Sequence, residues 1–252
     1  MSPIAPSNRL LASLSSSDRQ VFDPCLQGVQ LEAGTVLSKP NVPASHAYFL
    51  ESGIAASALD ADSGRNIEVG LTGNEGFIGL PIILDAEQCS RMTIMLVGGR
   101  ALRIEAQALR YVSEAIPTIR SKLLNFVHTF IIQTSSTVTA HATLSTEQKL
   151  ARWLLMAQDR LGDDLEITHD FLAMVLGVRR PGVTVAIHVL EGEHALAARR
   201  KQLKILDRDK LKMLAGPSYG VAEAEYDRVF GHRHRPVPPD LSQNPTQVIV
   251  AE

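Results

Sequence analysis

The chain has 252 residues, is 45% hydrophobic and 21% charged, and carries a formal net charge of −2, the profile of one large or two modest globular domains. Apolar runs such as FVHTFIIQ (126–133) are interrupted by polar residues well before the ~18 apolar residues that a bilayer span needs, so no membrane partner is expected. The start, MSPIAPSNRLLASL, lacks a basic segment followed by an apolar core. Cys25 and Cys89 stand apart from other ligand-type residues. That argues against a disulfide framework, a metal centre or an iron–sulfur cofactor, and for a reducing cytoplasm.

The charge is unevenly spread. Residues 1–112 hold eight Lys or Arg against eleven Asp or Glu, whereas residues 165–215 hold nine against six. A basic region attached to an acidic one suggests an end that binds a polyanion.

In chain order, residues from about 24 to 105 read as short β segments. VQLEAGTVLS, HAYFLESGIAASAL, NIEVGLTG and MTIMLVGGRALRI mix β-branched or aromatic residues with Gly, Asn or Asp turn signals, which predicts a small barrel or sandwich. From Pro117 to His141 the period changes. Ile119, Leu123, Phe126, Phe130, Thr134 and Val138 fall three or four residues apart, one stripe of a long helix with Pro117 in its first turn. A helix of ~25 residues runs about 37 Å, longer than the barrel it would cap. We therefore expect a dimer seam through Ile119, Leu123, Phe126, Phe130 and Val138; the alternative is a helix packed wholly on its own domain.

Ser145, with Gln148 three residues on, reads as the capping box of a next helix carrying Leu150, Trp153, Leu154 and Leu161. Thr168 reads as the N-cap of another, starting at His169. In ITHDFLAMVLGVRRPGVTVAIHVLEG (167–192), Leu172, Val175 and Leu176 precede Gly177, and Val183, Ile187 and Leu190 follow it. Two short amphipathic helices are thus joined at Gly177-Val178, the second opened by Arg179, Arg180 and Pro181. HALAARRKQLKILD then alternates Leu196 and Ala198, Leu203 and Ile205 around Arg199-Arg200-Lys201, a hairpin with a basic tip. Beyond Gly231 four prolines and no period predict a disordered tail, in which His232 and His234 read as solvated rather than metal-binding.

Helix, turn, helix and basic hairpin form a winged helix-turn-helix. The major groove admits one α-helix whose N-terminal side chains reach base edges, and a helix N-terminus attracts phosphate. The expected DNA-binding residues are Thr168, His169, Arg179, Arg180, Pro181, Thr184, Val185 and His188, with Arg199, Arg200 and Lys201 on phosphates. The alternatives are a surface hairpin with solvated arginines, or a ligand-sensing or protein-binding module whose helix-turn-helix has lost DNA function. With no nucleophile–base spacing, no GxGxxG after a strand and no metal pattern, no enzyme is expected.

The order of elements over roughly residues 24 to 230 resembles the Crp–Fnr family of bacterial transcription regulators. ITHDFLAMVLGVRRPGVTVAIHVLEG carries the likeness most closely, supported by PTIRSKLLNFVHTFIIQTSS and ARWLLMAQDRL. The resemblance implies an α+β fold: a lead-in at 1–23, a cyclic-nucleotide-binding-like β-roll (a double-stranded β-helix) at 24–112, a long dimerisation helix at 113–142, a winged helix-turn-helix at 143–230, and the tail at 231–252. It implies a homodimer on a palindromic operator in double-stranded DNA, with RNA polymerase as a further partner and an unidentified small molecule as effector. Arg180, Pro181 and Val185 would occupy the three base-contacting positions where cAMP-responsive members carry Arg, Glu and Arg. A wing position that is usually Gly holds Lys201.

The effector pocket implied by the resemblance comprises Gly79, Leu80, Pro81, Arg91, Met92, Thr93, Thr134 and Ser135. Leu80 and Pro81 stand where the family's ribose-binding Glu is expected, and Met92 follows Arg91 in place of the phosphate-binding Ser. Each lost hydrogen bond to a charged group costs ~1.5–3 kcal/mol, so cAMP is not the expected effector. Thr134-Ser135 matches the pair that reaches the purine, and the Fnr-type cysteine ligands are absent.

Overall fold

The computed structural model describes residues 7–61, 65–86 and 88–231; the expected tail, with His232 and His234, lies outside them apart from Gly231. Helices α1 (Arg9–Ala12) and α2 (Ser16–Phe22) lead in, their first turns capped by the side chains of Asn8 and Ser15. The strands of the roll are β1 (Gln27–Leu31), β2 (Val36–Ser38), β3 (His46–Leu50), β4 (Ile54–Ala61), β5 (Arg65–Thr72), β6 (Phe77–Ile78), β7 (Met92–Val97) and β8 (Gly99–Glu105), with helix α3 (Leu80–Ile83) between β6 and β7. Helices α4 (Ala106–Ala115), α5 (Pro117–Thr143) and α6 (Thr146–Leu161) follow, then β9 (Asp164–Leu165), α7 (His169–Leu176), α8 (Arg180–Gly192), β10 (Leu196–Arg199), β11 (Gln202–Ile205), α9 (Arg208–Ala215) and α10 (Val221–Phe230).

Strand β1 pairs with β8, β2 with β7, β3 with β6 and β4 with β5, all antiparallel. This is the pairing of one long hairpin rolled on itself, giving two four-stranded sheets ordered β1-β8-β3-β6 and β2-β7-β4-β5. The period of two along a strand sets the two faces. Ala55 and Met95 turn inward to meet Leu31, Leu50, Ile78 and Ala101 of the other sheet. Their neighbours Ile54, Ala56 and Leu96 turn outward into the core that also holds Trp153, Leu172 and Val183. The outward face of this sheet and the C-terminal half therefore share one core cluster, separate from the interior of the roll.

The long helix corrects one expectation. Ile119, Leu123, Phe126 and Phe130 are at most 3% exposed and pack within their own chain against Phe49, Phe77 and Leu109. A run of rings, Phe22–Phe49–Phe77–Phe126–Phe130, links lead-in, roll and helix at centroid distances of 5.4 to 6.3 Å. Residue 76 must be glycine, because a Cβ there would lie 2.0 Å from the Phe126 ring. These four residues form the face turned to their own domain, since the open side of the roll needs covering; of the expected seam only Val138 faces outward, at 56% exposure. The helix implied by the resemblance from 113 is divided: α4 ends at Ala115, and α5 begins at Pro117, the first-turn proline read from the sequence, whose ring disfavours helical geometry at Ile116.

Candidate nucleic-acid interface

Helices α7 and α8 are bent by 103° around Gly177, which caps α7 at φ 64, a left-handed conformation that costs glycine nothing. Thr168 caps α7 by accepting from the Phe171 N–H, and Ser145 and Gln148 form the expected capping box of α6. No single helix among the described residues is long and apolar enough to cross a membrane. Only the bent pair α7–α8 reaches that composition, and Leu172, Val175, Leu176, Val183, Ile187 and Leu190 are buried in the core.

The residues expected to meet DNA fall into two groups. Arg179, Arg180, Pro181, Val185 and His188 are exposed along α8, as are Arg199, Arg200 and Lys201 at the tip of the wing. Thr168, His169 and Thr184 are half-buried and committed within the motif. Thr168 is the cap, and the His169 Nδ1 lies 3.1 Å from Thr184 Oγ1, tying the start of α7 to α8. Arg180 lies 3.3 Å from Asp170 on α7, an exposed pair worth little by itself. Among the described residues, no carboxylate pairs with Arg179, Arg199, Arg200 or Lys201, whereas Lys204, Arg208 and Lys212 are bound to Asp164, Asp159 and Asp209. Lys201 takes φ 59, so the hairpin keeps the left-handed turn that glycine usually supplies and a lysine occupies it.

A cavity of about 30 Å³ lies between the roll and α5, lined in part by Gly79, Leu80, Pro81, Cys89, Arg91, Thr93 and Phe130. At ~10–15 Å³ for each water this is room for two or three of them. Five of the eight expected pocket residues therefore meet there, but Met92, Thr134 and Ser135 do not line it. Ser135 instead bonds the carbonyl of Ile131 on its own helix. Phe130 forms part of the wall, with the Arg91 guanidinium 5.5 Å from its ring centre and 3.4 Å from Cys89 Sγ. Burial opposes ionisation of Cys89, but the bonds and charge from Arg91 outweigh it and lower the thiol pKa. The lining residues Ser57, Thr72 and Cys89 were not expected. Strand alternation alone points to the first two, and nothing in the spacing marks the third.

Where the roll meets α6, polar groups are buried and paired. Arg160 binds Glu75 at 2.5 Å with both side chains almost fully buried. Trp153 donates to Glu68 at 2.8 Å, and Arg152 donates to Thr137 of α5 and to the Ser218 carbonyl. Burial drives the Glu68 carboxyl up to about 7, against the lowering effects of Trp153, Arg152 and Arg160. Helix α10 closes the far side: Tyr226 donates to the Glu75 carbonyl, and Glu225 meets His128 of α5 at 2.6 Å.

Residues 28–115 match the family model of the cyclic nucleotide-binding domain, and residues 148–214 that of the Crp-like helix-turn-helix domain. The Global nitrogen regulator of Synechococcus elongatus is 22% identical over 193 residues, covering 72% of this chain and 86% of that protein. Among solved structures, FixK2 from Bradyrhizobium japonicum superposes with a TM-score of 0.67 at 14% identity, over 76% of this chain and 98% of its own. A CRP/FNR-family transcriptional regulator of Thermus thermophilus gives 0.62 at 22% identity, over 75% and 98%. The c-di-GMP responsive global regulator of Xanthomonas campestris gives 0.62 at 16%, over 76% and 99%.

A cyclic-nucleotide-binding roll joined through a long helix to a winged helix-turn-helix defines a DNA-binding transcription regulator. The chain belongs to the Crp–Fnr family.

Proposed function

We propose that the protein works in the cytoplasm as a homodimer on a palindromic operator, with α8 in the major groove, the wing on phosphates and RNA polymerase as a further partner. The observation that carries this reading is the set of cations with no carboxylate partner among the described residues, Arg179, Arg199, Arg200 and Lys201, around an exposed helix, where neighbouring Lys204, Arg208 and Lys212 are paired. Filter binding across salt concentrations tests it. Arg180→Ala should cost ~1–3 kcal/mol and relax preference at one base pair, whereas Lys201→Ala should weaken all sequences alike and flatten the salt slope by about one unit. Equal loss on specific and random DNA for Arg180→Ala removes its base-reading role.

The face of α5 that supports a dimer is the outer one. Leu124, Ile131 and Val138 stand seven residues apart, a heptad spacing, with Ile131 and Val138 at 55% and 56% exposure. Thr134, on the same face, has a buried hydroxyl without a hydrogen-bond partner among the described residues. Light scattering should return twice the 27.4 kDa of one chain, and Ile131→Asp should shift the particle to that single mass. A wild-type particle of 27.4 kDa removes the dimer.

The effector reading is that cAMP does not switch this protein. The side chains of Leu80, Pro81 and Met92 supply no partner for a ribose hydroxyl or a cyclic phosphate, and the Phe130 ring forms part of the wall of a cavity of only about 30 Å³. Calorimetric titration of cAMP alongside operator binding decides it; micromolar binding coupled to a tenfold gain in DNA affinity overturns it.

A further inference from the structure

Helix α8 buries Val183, Ala186, Ile187 and Leu190 and turns Pro181, Val185, His188 and Val189 to solvent. Its outward side is therefore mainly apolar. Pro181, Val185 and Val189 follow one another at four-residue intervals and form one ridge, with Val185 at 58% and Val189 at 42% exposure. Nothing in the fold requires this, because the ridge touches no part of the core cluster that the helix serves from its other side. It is bordered at one end by Arg179 and Arg180, and the wing carries Arg199, Arg200 and Lys201. An apolar strip framed by exposed cations, of which only Arg180 has a carboxylate partner among the described residues, suits a polyanion that also presents an apolar group.

The major groove of DNA presents one such group, the C5-methyl of thymine; the other base-edge features there are hydrogen-bond donors or acceptors. A valine or a proline side chain cannot answer a donor or an acceptor, and would leave it desolvated and unpaired. Resting on the DNA-binding reading above, we propose that Val185, flanked by Pro181, reads thymine methyl groups beside the base pair contacted by Arg180. Four residues of helix rise about 6 Å, so Pro181 and Val185 reach base pairs close to one another. Both side chains are stiff enough to hold such a contact. The branched Val185 side chain has few rotamers to lose, and the Pro181 ring is fixed.

The test uses the full-length protein and the duplex it selects from a random library. Each thymine is replaced in turn by deoxyuridine, which removes only the methyl group. Uridine at one or two positions in each half-site should weaken binding by about fourfold per methyl, the equivalent of one buried methyl group. Val185→Ala should lose discrimination between thymine and uridine at one of those positions, whereas Arg180→Ala should keep it. Val185 is exposed, so this variant should melt like the wild type, and an unchanged melting curve guards against misfolding. Tight binding to the selected duplex with no uridine sensitivity overturns the methyl-reading proposal and leaves DNA binding standing. So does sensitivity that persists in both Val185→Ala and Pro181→Ala. Failure to bind any duplex at low salt overturns DNA binding itself.

Discussion

Arg160 and Arg152 lie at the junction of roll and α6, and Arg179, Arg199 and Arg200 lie on the helix-turn-helix and wing. The first two are buried, with Glu75, Thr137 and the Ser218 carbonyl as partners. The other three are exposed, and no carboxylate among the described residues pairs with them. Desolvating a guanidinium is costly unless a counter-charge and hydrogen bonds are in place. The interior cations therefore serve as ties between domains, while those left in water keep a charge that no neighbouring carboxylate among the described residues offsets. The role of a cation here follows from its partners rather than from its residue type.

The sharpest way to break that contrast is Glu75→Ala. It leaves Arg160 buried without its counter-charge, and should lower stability by about 3–5 kcal/mol in urea unfolding. The exposed pair Arg228–Glu225 provides the control, since Arg228→Ala should change stability by less than about 1 kcal/mol. Similar losses for the two variants would erase the distinction between inner and outer pairs.

A smaller effect is expected at Glu68. Its carboxyl sits near 7 in the folded protein against an ordinary 4.5, so the folded state holds the proton more tightly than the unfolded chain. Stability is therefore lost as pH rises from about 4.5 to 7, by about 3 kcal/mol at ~1.36 kcal/mol per pH unit. Glu68→Gln keeps an acceptor for the Trp153 N–H but does not ionise. It should match the wild type near pH 4 and exceed its stability at pH 8 by up to that amount, measured by denaturant melts at both pH values. A gap that does not change with pH would show that burial of the charge is not its cause.

The smallest effect belongs to the wing. Lys201 bears the left-handed backbone cost of a side chain, ~1–2 kcal/mol, which Lys201→Gly relieves at ~0.5–1 kcal/mol of added chain entropy. Stability should hold or rise by up to about 1.5 kcal/mol, while DNA affinity falls alike on all sequences and the salt slope becomes shallower by about one charge. A variant that binds DNA as the wild type does would show that Lys201 makes no phosphate contact.

The strands of the roll, the capping box at Ser145, the cap at Thr168 and the turn at Gly177 were all legible in the sequence, because each depends on residues within a few positions of one another. Helices α9 and α10 were not. Their apolar residues, such as Leu211, Ala222 and Tyr226, are too sparse to make a stripe, and Tyr226 owes its burial to contacts more than 100 residues away, including the Glu75 carbonyl at a separation of 151.

By itself the sequence determined that a long helix with an apolar stripe lies between a β domain and a basic helix-turn-helix, since periodicity and caps are properties of the chain. Only the tertiary structure decided which partner owns each stripe. Phe126 and Phe130 belong to the roll because Gly76 and Gly70 leave room for their rings, while Ile131 and Val138, on the same helix, remain outside. The period of a helix marks its apolar positions, but only packing volume and the placement of distant glycines select the surface that covers them.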